Sequence, residues 1–228
     1  MSKQVKRVAI IGTGVIGASW AALFLAKGLD VVATDISPEA EGRLRAYIDE
    51  VWSALETLGL AAGASRSRLA FTSDLKAAVS GADLVQENGP ERIDFKKVLY
   101  KQLDEMLPAE TLIASSSSGL TMSEIQSACE HHPERCVIGH PFNPPHLIPL
   151  VKIVGGAKTS QDTIQRVTEF YAALGKRTIR LNSPTITPEL REKVIAGVRE
   201  EAGSRSTDEL AARRDEVLLG LLALRAKG

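Results

Sequence analysis

Cysteine is nearly missing from this chain. Cys129 and Cys136 are the only two in 228 residues, too few for a disulfide scaffold and spaced like no common zinc or redox motif. As free, buried thiols they suit a reducing cytoplasm. An excess of charge is missing as well. Lys plus Arg and Asp plus Glu both total 28, so there is no global basic field for nucleic acid and no acidic tail. No apolar run approaches the roughly 18 residues that a membrane helix needs. Met1 to Arg7 leads into the first apolar run without the apolar segment of a signal peptide. Among the four histidines, His131, His132 and His146 show no metal-ligand spacing and read as surface or loop residues. These absences set the expectation of a soluble, cytoplasmic protein with no metal, no membrane and no nucleic acid. Its length allows one large domain, or one domain with an appendage, and a sizeable core.

What is present centres on Val8-Ala9-Ile10-Ile11-Gly12-Thr13-Gly14-Val15-Ile16-Gly17. Val8 to Ile11 is short, apolar and partly β-branched, as a parallel strand covered on both faces should be. Gly12, Gly14 and Gly17 fit G-x-G-x-x-G, in which the first glycine permits a tight turn, the second lets backbone approach a pyrophosphate and the third lets helix pack on strand. The helix beyond, Val15 to Lys27, opens on backbone N–H groups at the positive end of its dipole, suited to phosphate oxygens. A second strand, Val31 to Thr34, ends in Asp35, 18 residues past Gly17. A carboxylate there would bind the ribose hydroxyls of NAD and repel the extra phosphate of NADP. It would equally serve as a loop or N-cap residue ahead of Ser37-Pro38.

The rhythm then continues. A helix is expected from Pro38 to about Leu58, a strand at Leu69 to Thr72, and a short helix from Asp74 to Ser80 capped by Ser73. A strand at Ala82 to Gln86 and a helix from Phe95 to Met106 follow. Further strands are expected at Thr111 to Ala114, Cys136 to Gly139, Leu150 to Val154 and Arg177 to Leu181, with a helix from Gln161 to Leu174. This alternation predicts a Rossmann-type, doubly wound α/β domain over residues 1–182 with a mostly parallel sheet. Residues 183–228 read as a linker and a short helical appendage. Its two amphipathic helices must pack on the first domain or on another chain, so a homodimer is one expectation.

In an open parallel sheet, the loops at the carboxyl ends of strands line the ligand crevice. Glu91 and Lys96 follow one such end and would meet cofactor or substrate; a solvated first helical turn explains them equally. Ser115 to Ser118 follow the next, as an active-site loop or simply a polar turn. His140-Pro141-Phe142-Asn143-Pro144-Pro145 follows a third, and histidine is the side chain best suited to move protons at neutral pH, although a lone histidine is also a common structural residue.

Taken together, the glycine turn, Asp35, the serine loop and H-P-x-N-P-P resemble the NAD-binding domain of the L-3-hydroxyacyl-CoA dehydrogenase superfamily. The H-P-x-N-P-P form is most like its branch acting on small hydroxy acids, carnitine first and gulonate second. The resemblance implies NAD as cofactor, a small-molecule substrate and oxidation of a 3-hydroxyl. It assigns Asp35 to the adenosine ribose, Gly12 to Gly17 (with Thr13, Val15 and Ile16) to the pyrophosphate, and Glu91 and Lys96 to the nicotinamide end. Ser118 would hold the substrate hydroxyl, His140 would be the general base and Asn143 would arrange substrate and nicotinamide. Two departures stand out. Lys152 occupies the place where the family has a glutamate that orients the histidine, and a cation there should depress the ring's proton affinity. After Asn182 the family's P-G-x-x-x-N-R motif and most of its helical domain are absent. The resemblance therefore implies either a dehydrogenase or a catalytically impaired NAD-binding protein.

Overall fold

The structure, a computed structural model, describes residues 4–181. The linker and two helices expected beyond Asn182 lie outside the described residues. The elements run β1 (Arg7–Ile11), α1 (Val15–Ala26), β2 (Asp30–Thr34), α2 (Ala40–Leu58), β3 (Leu69–Phe71), α3 (Leu75–Val79), β4 (Leu84–Glu87), α4 (Ile93–Met106), β5 (Leu112–Ser115), α5 (Met122–Ile125), β6 (Cys136–Pro141), β7 (Leu150–Gly155), α6 (Gln161–Ala173) and β8 (Arg177–Leu181). Among the described residues the strands form one sheet in the order β3-β2-β1-β4-β5-β6-β7-β8. Each pairing is parallel except that of β6 with β7. The doubly wound, mostly parallel fold expected from the alternation is the one found.

Two physical features of this fold place the site. The sheet is buried on both faces, and β1 and β4 carry apolar side chains without alternation, Val8, Ala9, Ile10, Leu84 and Val85 all being inaccessible, as a sheet covered by helices on both sides requires. Helix α1 is apolar nearly all round and lies in the core, where Trp20, Phe24 and Leu25 are fully buried. A helix so enclosed is a rigid reference for whatever touches it. Secondly, strand order reverses direction between β1 and β4, so their following loops part and open a crevice.

Local chemistry explains most element ends, and corrects one. The cap of α3 is Asp74, whose carboxylate accepts from the N–H groups of Lys76 and Ala77, not Ser73 as expected. Thr121 caps α5 and Ser160 caps α6 through their hydroxyls. β6 runs on through His140 and Pro141, so His140 belongs to the strand rather than to the loop after it. That extension follows from its partner: β7 returns antiparallel and pairs with this segment as far as Pro141.

Candidate functional site

One row of paired residues crosses the sheet at its carboxyl edge. Thr34 pairs with Ile11, Ile11 with Glu87, Glu87 with Ser115, and Ser115 with Ile138. Every residue assigned to cofactor or substrate from the sequence begins within a few positions beyond that row, apart from Lys152, which β7 delivers from the other direction, and Lys96, which α4 carries. Backbone bonds continue the row by one residue: Gly12 N–H to Thr34 O (2.9 Å), Asn88 N–H to Ile11 O (2.7 Å) and Ser116 N–H to Glu87 O (2.8 Å).

The first and third glycines of the turn have the steric roles that their spacing implies. Gly12 takes φ +81°, and a β-carbon there would lie 2.8 Å from the carbonyl oxygen of Asn88. A β-carbon on Gly17 would sit 1.9 Å from the carbonyl oxygen of Gly12, so helix and turn meet there with no room for a side chain. At Gly14 a β-carbon would meet nothing within 4 Å. The start of α1 lacks both a capping side chain and an acidic residue in its first turn, and Val15 is 60% exposed. An exposed, uncapped helix start of this kind leaves backbone N–H groups that suit phosphate oxygens.

Asp35 stands beside this turn. One carboxylate oxygen accepts from the Thr13 N–H (2.7 Å) and the Thr13 hydroxyl (3.0 Å), and the other from the Ser37 N–H (3.1 Å). Partial burial acts to raise its pKa, but these donors outweigh burial and hold the carboxyl below its ordinary value. Asp35 is thus ionised and at the same time locks the turn.

Glu91 and the serine loop form one unit. A single oxygen of Glu91 accepts from the Ser117 hydroxyl (2.7 Å) and the N–H groups of Ser118 (2.9 Å), Gly119 (2.7 Å) and Leu120 (3.2 Å). Burial acts to raise its pKa, and the donors from Gly119, Ser117 and Leu120, with the charge of Lys96, bring it below the ordinary value. Ser118 and Asn143 are exposed.

Lys96 has a different first partner from the cofactor group expected for it. It is 1% exposed, and its ammonium donates to both oxygens of Glu87 at 2.8 Å. Ser115 Oγ (2.6 Å) and Gly89 N–H (2.6 Å) complete the shell of Glu87. The reason is that α4 packs this side chain against the end of β4, where a fully buried carboxylate must be paired.

His140 and Lys152 are direct cross-strand partners in the β6–β7 pair, a relation that sets β-carbons about 4.5–5.5 Å apart. Lys152 is 5% exposed; burial pushes its pKa down, with the charge of Glu91 opposing. The position opposite the histidine ring is therefore held by a partly desolvated cation that also feels Glu91.

The sequence reading missed several polar residues that join these parts. His146, expected on the surface or in a loop, lies in the loop between β6 and β7 but is buried there, its ring Nδ1 2.8 Å from Ser19 Oγ. Desolvation, with help from the charge of Lys176, lowers its pKa to about 4. Gln86, Ser116 and Asn88 form a further cluster. A signal for it exists in the chain: Gln86 directly follows the apolar run Leu84-Val85 within a strand, where a buried polar side chain must find internal partners.

Residues 7–184 match the family described as 3-hydroxyacyl-CoA dehydrogenase, NAD binding domain. The chain is 51% identical to L-carnitine dehydrogenase of Streptomyces griseus over 179 residues, 78% of this chain and 53% of that protein. It is 42% identical to L-carnitine dehydrogenase of Bacillus cereus over 215 residues, 92% of this chain and 65% of that protein. The chain thus spans between about half and two-thirds of the length of these curated relatives. Among solved structures, a 5-formyl-3-hydroxy-2-methylpyridine 4-carboxylic acid 5-dehydrogenase, described as an NAD+-dependent dismutase, superposes with a TM-score of 0.75 at 32% identity, covering 92% of this chain and 66% of that one. The 3-hydroxybutyryl-CoA dehydrogenase of Escherichia coli K12 gives a TM-score of 0.75 at 29% identity, covering 88% of this chain and 44% of that one.

Proposed function

Because this chain belongs to the NAD-binding-domain family of the 3-hydroxyacyl-CoA dehydrogenases, we propose that it serves an NAD-dependent dehydrogenase of small L-3-hydroxy acids, with L-carnitine as first substrate and 3-dehydrocarnitine as product. The observation that carries the reading is the convergence of the open glycine turn, Asp35, the serine loop and His140 just beyond one row of the sheet. Support for carnitine comes from relatives that bear that name at 42–51% identity.

The residues divide the work as follows. Gly12 to Gly17 and the first turn of α1 seat the pyrophosphate, and Asp35 takes the ribose of the adenosine half. Ser118 hydrogen-bonds the substrate hydroxyl, and Asn143 aligns the substrate through its carboxamide. His140 removes the hydroxyl proton as general base while the carbon–oxygen double bond forms. Bound NAD+ supplies the acceptor for the hydride that leaves the same carbon, so alcohol and NAD+ become ketone, NADH and a proton.

A second reading is favoured by Lys152. In the related dehydrogenases a glutamate is expected at this place, and a cation facing His140 opposes the imidazolium that proton abstraction creates. On this reading the chain binds NAD without turning over substrate.

A paired measurement separates the two. NADH titrated by fluorescence should bind saturably, and NADH production should be faster with L-carnitine than with L-gulonate or a 3-hydroxyacyl-CoA. Lys152→Glu should raise kcat/KM by about 10²-fold or more, within the range that a well-placed acid–base group contributes. Binding without turnover on any substrate, unrescued by Lys152→Glu, establishes the binding reading; absence of NADH binding removes the cofactor site itself.

A further inference from the structure

We propose that Ser19 and Trp20, adjacent on the cofactor helix, are positioning residues that tie the two substrate loops to the seat of the cofactor. The proposal rests on reading Gly12 to Gly17 as the NAD site and extends it to residues that do not touch substrate.

Neighbouring residues on a helix point about 100° apart, so one dipeptide can reach two different loops. Ser19 reaches the His140 loop. Its hydroxyl oxygen accepts from the backbone N–H of His146 (2.9 Å) and lies 2.8 Å from that residue's Nδ1. One lone pair of the hydroxyl is spent on the N–H, and its remaining lone pair and its proton serve the ring Nδ1 and Tyr47, whose own hydroxyl lies 3.5 Å from the same nitrogen. His146 lies within the loop that follows His140 and carries Asn143, so a fully buried serine holds that loop.

Trp20 reaches the serine loop. Its indole is fully buried and stacked on Phe24 and Tyr171, with both centroid distances 5.3 Å. Its Nε1–H donates to Ser116 Oγ at 3.3 Å. Ser116 Oγ also accepts from Gln86 Nε2 (3.0 Å) and donates to Asn88 Oδ1 (2.7 Å), which fills every hydrogen-bonding position of a hydroxyl. Tyr171 donates to Gln86 Oε1 (2.5 Å), and Asn88 Nδ2 donates to the carbonyls of Gln86 (2.9 Å) and Ile11 (3.3 Å). The direction of each bond is thereby set, and the chain ends on the residue before Gly12. Ser116 lies two positions before Ser118.

Both loops therefore hang from one buried helix whose first turn would take the cofactor's phosphates. A bond lost here leaves a buried polar group unsatisfied, so the loops keep this register only while the helix does. Occupying the first turn of α1 should accordingly quieten both loops, each through its own residue.

The test uses Ser19→Ala and Trp20→Phe, the latter keeping the aromatic stack. Both should bind NADH within about threefold of the unaltered protein. In hydrogen exchange, NADH should slow amides of 116–120 and 142–147 in the unaltered protein. Ser19→Ala should lose that protection in 142–147 alone, and Trp20→Phe in 116–120 alone. In turnover each variant should lower kcat by about tenfold or more with little change in the NAD KM. His146→Leu should copy Ser19→Ala without adding to it in the double variant, whereas His146→Asn, whose carboxamide can both donate and accept near the place of Nδ1, should restore protection. Equal protection of both loops in all variants, or loss of protection everywhere at once, overturns the proposal while leaving the cofactor reading intact. Absence of NADH binding to the unaltered protein overturns both.

Discussion

Asp35 does two things with one carboxylate, and they can be pulled apart. Its bonds to Thr13 and Ser37 stabilise the glycine turn, while its negative charge is what would discriminate against a ribose phosphate. Asp35→Asn keeps an oxygen for the Thr13 N–H and removes the charge. NADPH affinity should then rise towards that of NADH, with NADH affinity falling less than in Asp35→Ala. Asp35→Ala loses the turn contacts as well and should weaken NADH by about tenfold or more, as expected for hydrogen bonds to a charged acceptor. Fluorescence titrations with both dinucleotides check this, and an unchanged NADH-to-NADPH ratio in both variants would remove Asp35 from the ribose. The same residue shows why a site read from spacing is incomplete: the spacing places the acid, and the structure adds that it is ionised because it is already holding the turn.

At the scale of elements, the buried Glu87–Lys96 pair joins the end of β4 to α4 directly under the serine loop. Removing one member leaves an uncompensated charge inside the protein, so Lys96→Met should cost about 3–5 kcal/mol. The double variant Glu87→Gln/Lys96→Met should recover much of that loss. Urea unfolding of the three proteins measures it; a loss below about 1 kcal/mol for Lys96→Met would mean that Lys96 is not confined to Glu87, and would return it to the cofactor side. This pair marks the boundary of what the chain discloses. The β1–α1–β2 unit was legible because its signals are local: a β-branched run, glycines at turn spacing and an acid at a strand end. Strand ends moved by only a residue or two, and Asp74 displaced Ser73 as a cap one position away. What stayed hidden depends on distant partners. His146 is the loop residue expected, but nothing near it tells of its burial, which depends on Ser19, 127 positions earlier. Lys96 reads as a solvated first-turn charge until the end of β4 places a buried carboxylate beneath it. The antiparallel return of β7, which sets Lys152 against His140, has no signature in either strand alone.

For the whole molecule, the same buried histidine makes stability depend on pH in a defined window. The pKa of His146 is lowered from an ordinary 6.5 to about 4, so between those values the unfolded chain binds a proton that the folded chain refuses. Stability therefore rises with pH through this window, and the contribution of neutral His146 is complete above about pH 6.5 and lost as pH falls towards 4. Asp35, Glu91 and Asp104 are shifted the same way from lower ordinary values of 3.8, 4.5 and 3.8. Their contributions are lost only in more acidic solution, which separates the two effects. Urea midpoints measured from pH 7 to pH 5 should decline for the unaltered protein and stay nearly flat for His146→Asn, whose side chain does not titrate. Parallel declines in the two would show that the titrating group lies elsewhere. Because His146 holds the loop that follows His140, its protonation in the folded protein should also release the NADH-dependent protection of 142–147, and this should occur near pH 4. Loss of stability should thus begin as pH falls below about 6.5 and loss of loop order only near pH 4, both set by a residue that the proposed chemistry never uses.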